Sequence, residues 1–183
     1  MDRSVNKKEP NANIDTGPTF QSPEPYPPIK VEGKNKLYAG LMHGNLVASA
    51  SEMTAVCQYL YDSWILESQR PDAAKTMHAI AKVEMHHLDI FGNLVRELGG
   101  DPTYAVQFRQ RKQVWNGGYV SNHKNFFHLM QRNLLAEQDT IAKYLRQASM
   151  IQDSNISAIL RRIVLDEQVH VQIFRSFLDE CIR

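Results

Sequence analysis

The sequence predicts an all-α protein: an antiparallel four-helix bundle in which one long crossover loop joins the second helix to the third. Three observations predict it. A short pattern is written twice, as Glu84-Met85-His86-His87-Leu88-Asp89-Ile90-Phe91 and as Glu167-Gln168-Val169-His170-Val171-Gln172-Ile173-Phe174. Each copy has a companion glutamate about thirty residues upstream, Glu52 for the first and Glu137 for the second. Apolar residues recur at helical spacing through four stretches divided by turn signals. The companions repeat too, because Glu52 is followed by Tyr59-Leu60 and Glu137 by Tyr144-Leu145. The halves are offset by 85 residues for one glutamate pair (52 to 137) and by 83 for the other (84 to 167), so the chain reads as a duplicated helical hairpin.

In chain order, residues 1–36 come first and hold six of the eight prolines without apolar periodicity. They read as an arm, disordered or extended along the body, with Tyr26 and Ile29 as its anchors. The bundle is expected over 37–183. A first helix is predicted over 37–69, on a stripe that includes Met42, Leu46, Ser49, Met53, Val56, Tyr59 and Trp64. Pro71 suits the first turn of the next helix, and so short a break forces antiparallel neighbours. The second helix is predicted over 72–98 and ends at Gly99-Gly100-Asp101-Pro102. Residues 99–120 show no clean helix. A loop of that length has a purpose if it crosses the full height of the bundle, roughly 40 Å at ~1.5 Å per residue. The third helix is predicted over 122–148 with Ser121 as its cap. The fourth begins at Asp153 or Ser154 and runs almost to Arg183. Each of Glu52, Glu84, Glu137 and Glu167 then falls near the middle of its helix, and two antiparallel pairs bring all four to one level.

Composition narrows the function. A formal net charge of +1 carries no nucleic-acid footprint. No stretch approaches the roughly 18 apolar residues of a membrane span. The polar start, Met1–Pro10, shows no secretory signal. Cys57 and Cys181 are too few for a disulfide framework or a Cys-x-x-Cys knuckle, so a soluble protein of a reducing, cytoplasmic compartment is expected. Cys57 reads as a small core residue.

The chemistry lies in the doubled pattern. Residues three apart share a helix face, so Glu84 with His87, and Glu167 with His170, can each grip one metal ion. A single Glu-x-x-His is a weak signal; two copies with matched glutamates form the ligand list of a dimetal carboxylate bundle. Four buried carboxylates are untenable alone and take up protons unless two divalent cations neutralise them. Oxygen and imidazole donors with open positions suit Fe or Mn. Tyr59 and Tyr144 lie two turns beyond their glutamates on the same stripe, where a buried hydroxyl needs a partner such as a ligand carboxylate. Asp166 either orients His87 across the bundle or is a surface aspartate. His43, His86 and His128 point off the metal face.

At these residues the sequence resembles the ferritin-like superfamily, in particular its rubrerythrin, bacterioferritin and manganese-catalase branch, over about residues 37–182. The resemblance implies two Fe ions, or two Mn ions, bridged by Glu84 and Glu167 and an oxo or hydroxo group. Glu52 and His87 would complete one metal, and Glu137 and His170 the other. It also implies a small oxidant, H2O2 or O2, and an external electron donor, since the rubredoxin domain with its Cys-x-x-Cys knuckles has no counterpart here. The additional glutamate of rubrerythrins, one turn after the third-helix glutamate, is Thr140 in this chain. The expected function is a peroxidase or ferroxidase. The rivals are a manganese catalase and a non-catalytic metal-binding, storage or coat protein. A homodimer is the default assembly.

Overall fold

The computed structural model describes residues 19–108 and 111–182. Five α-helices make the bundle: α1 (Lys36–Val47), α2 (Glu52–Leu66), α3 (Pro71–Glu97), α4 (Phe126–Met150) and α5 (Ser154–Glu180). The first two together form one arm of the four-helix plan. α3 runs against that arm and α4 against α5.

The first predicted helix is therefore broken, and Glu52 begins α2 rather than standing at mid-helix. The cause is the Ser49-Ala50-Ser51 run. Its small residues have little apolar surface to hold a helical turn against the bundle. The Ser51 hydroxyl instead accepts from the Thr54 N–H and starts a new helix. Helical periodicity continues across the break, so it was not visible as a gap. α4 starts four residues later than expected, at Phe126, because the Asn125 side chain accepts from the His128 N–H and caps it instead of Ser121. Trp64, placed on the inner stripe by its spacing, is 68% exposed.

α3 carries Pro71 at its start and ends in a left-handed cap. Gly99 has φ 84°, its N–H donates to the Arg96 carbonyl, and the Gly100 N–H reaches back to the Val95 carbonyl at 2.8 Å. This paired closure needs the glycine and turns the chain off the helix. The crossover then contains an antiparallel ladder, β1 (Ala105–Phe108) with β2 (Arg111–Val114), and a 3-10 turn over Gly117–Tyr119. The short ladder was missed because its apolar alternation is too brief to register against a helical background. Gln58 fastens the end of the crossover, donating to the Ser121 carbonyl and accepting from the Ser121 N–H.

Two apolar clusters fill the interior. One joins Met42 and Leu46 of α1 to Phe91, Leu94 and Val95 of α3, Tyr144 of α4 and Ile156, Leu160 and Ile163 of α5. The other joins Tyr59 and Leu66 of α2 to Met77 and Ile80 of α3, Leu129 and Met130 of α4 and Phe174 of α5. Glu52, Glu84, Glu137 and Glu167 are buried with His87 and His170 within the same bundle.

Residues 19–35 form no helix or strand and run along the bundle, with Tyr26, Ile29 and Val31 packed on the first cluster. The expected arm's first eighteen residues lie outside the described residues. Asp153 fastens the C-terminal part of this stretch: it caps α5 through the Asn155 and Ile156 N–H groups and accepts from the Glu32 N–H at 2.7 Å. Asp153→Ala is expected to cost about 2 kcal/mol, the upper end for a cap. A thermal melt should show it as a midpoint lowered by roughly 4–8 °C.

Candidate metal centre

α3 and α5 present the doubled Glu-x-x-His on their buried faces, and α2 and α4 each add one glutamate. The six side chains meet. Donor atoms of Glu52, Glu84, His87 and Glu167 lie within 4.8 Å of one another, and so do those of Glu84, Glu137, Glu167 and His170. Glu84 and Glu167 belong to both groups.

The imidazoles face the same way. His87 Nδ1 lies 3.0 Å from Glu84 and 3.4 Å from Glu167. His170 Nδ1 lies 3.0 Å from both Glu84 and Glu167 and 3.6 Å from Glu137. Each Nε2 points outward. His170 Nε2 is 3.0 Å from the Phe20 carbonyl, an acceptor only, so that nitrogen carries a proton and Nδ1 is the one turned to the carboxylates. His87 Nε2 is 3.0 Å from Asp166 Oδ2 and 3.1 Å from the Tyr26 hydroxyl.

The cluster fits cations better than it satisfies itself. Among the described residues, Glu84 Oε1, both Glu167 oxygens and His170 Nδ1 are buried without an aligned hydrogen bond, although they crowd to 3.0 Å. Buried atoms seldom go unpartnered, and four on one centre point to a missing positive charge. Electrostatics agree. Burial, then the neighbouring carboxylates Glu167 and Glu84, push Glu137 up to about 8. Burial with Glu84 and Glu167 also drives Glu52 well above its usual range. Glu84 moves the other way: burial would raise it, but His170 and His87 hold it below the ordinary carboxylate range. Both histidines are raised despite burial, His87 chiefly by Glu167 and His170 by Glu84. In the metal-free protein, protons on Glu52, Glu137 and the imidazoles stand in for the missing charge.

The tyrosines bond across the two halves. Tyr59 of α2 donates to Glu137 of α4, and Tyr144 of α4 donates to Glu52 of α2. Phe174 and Phe91 stack on them, with ring centroids 5.7 and 5.4 Å apart. Asp166 is fully buried, not at the surface. Burial opposes its ionisation, yet hydrogen bonds from His87, Tyr26 and Arg162 hold it down at about 2. It therefore accepts as a carboxylate from those three groups and from the Ser22 N–H at 2.7 Å.

The residues that sequence reasoning missed belong to this outer layer. Arg162 donates to Asp166 at 2.7 Å and to the carbonyls of Ser22 and Glu24, and its guanidinium lies 4.0 Å from the Tyr26 ring centroid. Its place four residues before Asp166 was a readable signal. That Phe20 and Tyr26 would reach the histidines was not readable, because the arm has no periodicity. The other histidines considered stand apart: half-buried His43 reaches the Thr103 carbonyl at 2.6 Å, His128 is exposed, and exposed His86 meets the Tyr26 ring edge-on, at 4.6 Å. Cys57 is half-buried, short of the core place expected of it.

No curated protein matches the chain in a sequence search. In solved structures the fold recurs. A manganese catalase from Anabaena PCC7120, KatB, superposes with a TM-score of 0.77 at 18% identity, over 90% of this chain and 81% of that one. Mycobacterium tuberculosis bacterioferritin BfrA gives 0.66 at 22% identity, over 80% and 87%. Desulfovibrio desulfuricans bacterioferritin, described for its diiron site, gives 0.64 at 22%, over 77% of each chain. At these identities the likeness establishes the ferritin-like helical bundle. The rubrerythrin family model matches residues 46–178, which span both glutamates and both Glu-x-x-His motifs. The chain belongs to the rubrerythrin family.

Proposed function

We propose that this chain is a dimetal oxidoreductase that reduces H2O2 or O2 at a pair of iron ions and is re-reduced by an external donor. The observation that carries the reading is the six-donor cluster, with two carboxylates common to both halves and buried lone pairs left unpartnered. Glu84 and Glu167 would bridge, Glu52 and His87 would hold one ion, and Glu137 and His170 the other. Two Fe(II) ions bound there would supply two electrons, enough to take H2O2 to water or O2 to peroxide.

The protein's own part is to hold and orient. Two divalent ions offset four carboxylates, so loading displaces the protons of Glu52 and Glu137. Tyr59 and Tyr144, both raised by burial, keep their protons and each steadies the glutamate of the opposite half. Asp166 and the Phe20 carbonyl fix both Nε2–H groups and so aim both Nδ1 atoms inward.

The Tyr26 phenol, pushed up to about 12 by burial, stays a donor to Asp166. Tyr26→Phe keeps the ring under Arg162 but removes that donor. It is expected to weaken the His87 half of the centre by tenfold or more, with a smaller effect on the His170 half. Titration against a competing chelator measures the two affinities, and equal weakening of both would contradict this role.

A manganese catalase is the second reading, because the oxygen and imidazole donors accept Mn as readily and KatB shares the fold. Added H2O2 separates the two. Consumption that requires an electron donor supports the iron peroxidase, whereas oxygen evolution without any donor supports the catalase. A binding role without turnover would show neither. The two free thiols, Cys57 and Cys181, fit a reducing, cytoplasmic setting, and a homodimer is the expected assembly.

A further inference from the structure

The centre has an open side. α2 packs on α3 and α4 on α5, while between α2 and α4 lies a cavity of about 330 Å³. Its lining includes Glu137 and Tyr59, so it reaches the centre itself. Thr54 and Ala55 of α2, with Ala136 and Thr140 of α4, also line it. Ala136 and Asp139 are exposed and mark its mouth. One end is closed by Lys143, whose Nζ donates to the Ala50 carbonyl at 2.9 Å in the break between α1 and α2. The other is closed by Gln58 and Arg132, both bonded to the fully buried Asp62.

Three features indicate what fits. The volume far exceeds the roughly 15 Å³ that admits one water and falls within the roughly 300–1,000 Å³ of small-molecule sites. Access for H2O2 or O2 alone needs no such space. The charged lining residues balance, Lys143 and Arg132 against Glu137 and Asp139, and both cations already have partners. Nothing in this balance attracts a carboxylate ligand, because Asp62 holds Arg132 and two carboxyl side chains, Glu137 and Asp139, line the same space. The rest of the lining includes methyl surface, the hydroxyls of Ser51, Thr54 and Thr140, and a buried Arg132 Nη1 with no acceptor.

We propose that this cavity binds a neutral organic hydroperoxide, with its compact apolar body against Ala55, Ala136 and Thr140 and its peroxide end toward Glu137. The inference rests on the peroxide-reducing reading of the centre. The additional glutamate that the rubrerythrin resemblance places one turn beyond Glu137 is Thr140 here, and its smaller side chain lines the space.

The test uses the full chain and 2-phenyl-2-propanol, the unreactive alcohol with the body of cumene hydroperoxide. Ligand-observed NMR measures affinity. Fluorescence in a Trp64→Phe background locates the site, because the other tryptophan, Trp115, donates to Thr54 Oγ1 at 2.9 Å on the cavity wall. Saturable binding is expected, with a change in Trp115 emission. Ala136→Leu and Thr140→Leu, each filling the space, should weaken binding at least tenfold while helicity by circular dichroism and metal per chain stay unchanged. No saturable binding up to the solubility of the probe, or equal binding in both filled variants, overturns the proposal. Metal per chain, read on the same samples, separates the two ideas. Two metals without probe binding refute the cavity alone, and probe binding without metal refutes the dimetal reading.

Discussion

Glu84→Ala is expected to empty both metal positions, whereas Glu52→Ala empties mainly one. Glu84 contributes an oxygen to each four-donor group, but Glu52 belongs only to the group containing His87. Losing Glu84 also leaves His170 Nδ1 without one of its two nearest carboxylates. Elemental analysis after loading and desalting should give close to no metal for the first variant and about one ion for the second. Equal loss in the two variants would contradict the shared role of Glu84.

Metal removal should destabilise the fold, increasingly so as pH rises. A ligand present at 1,000 times its dissociation constant stabilises the native state by about 4 kcal/mol per site. For a chain of this size, chelation should then lower the melting midpoint by roughly 10 °C per site. The pH dependence follows from the metal-free cluster. Glu137, raised to about 8 by burial and then by Glu167 and Glu84, binds its proton more tightly folded than unfolded. Its contribution is present at low pH and is lost as pH rises through the window between 4.5 and about 8. Glu52, His87 and His170 are raised as well and act with the same sign. Glu84 and Asp166 are lowered, so their contributions are lost only in acid. The metal-free protein should therefore melt highest near pH 5 and lose on the order of 4 kcal/mol by pH 8 from Glu137 alone. Bound metal should flatten that slope, because it displaces the same protons. Scanning calorimetry from pH 5 to 9, with and without chelator, measures both effects, and a metal-free midpoint that rose with pH would contradict the buried cluster.

The cluster was legible because a duplicated hairpin writes its carboxylates and imidazoles twice. Glu84 and Glu167, each three residues from its histidine, needed only the helical period to share a face, and the tyrosines needed only two further turns. Glu52 was found for the right reason but on the wrong element. Spacing is blind to a break when Ser51 restarts the helix in phase, and the Ser-x-x-Thr cap was the signal to weigh. The outer layer was legible only in part. Asp166 and Arg162 sit one turn apart on α5, so their pairing could be read from spacing. Phe20 and Ser22 could not be placed, and Tyr26 only as an anchor of the arm, because an irregular arm docks through backbone groups and single side chains, and neither leaves a period. The α2–α4 cavity was hidden for a similar reason: Ala55, Ala136 and Thr140 matter there for what they leave empty.

The most direct measurement is metal per chain in protein purified from its native host. About two ions per chain are predicted, as iron, held by Glu52, Glu84, His87, Glu137, Glu167 and His170. A chain that holds no metal, even after reconstitution with Fe(II) and Mn(II), would contradict the account at its centre.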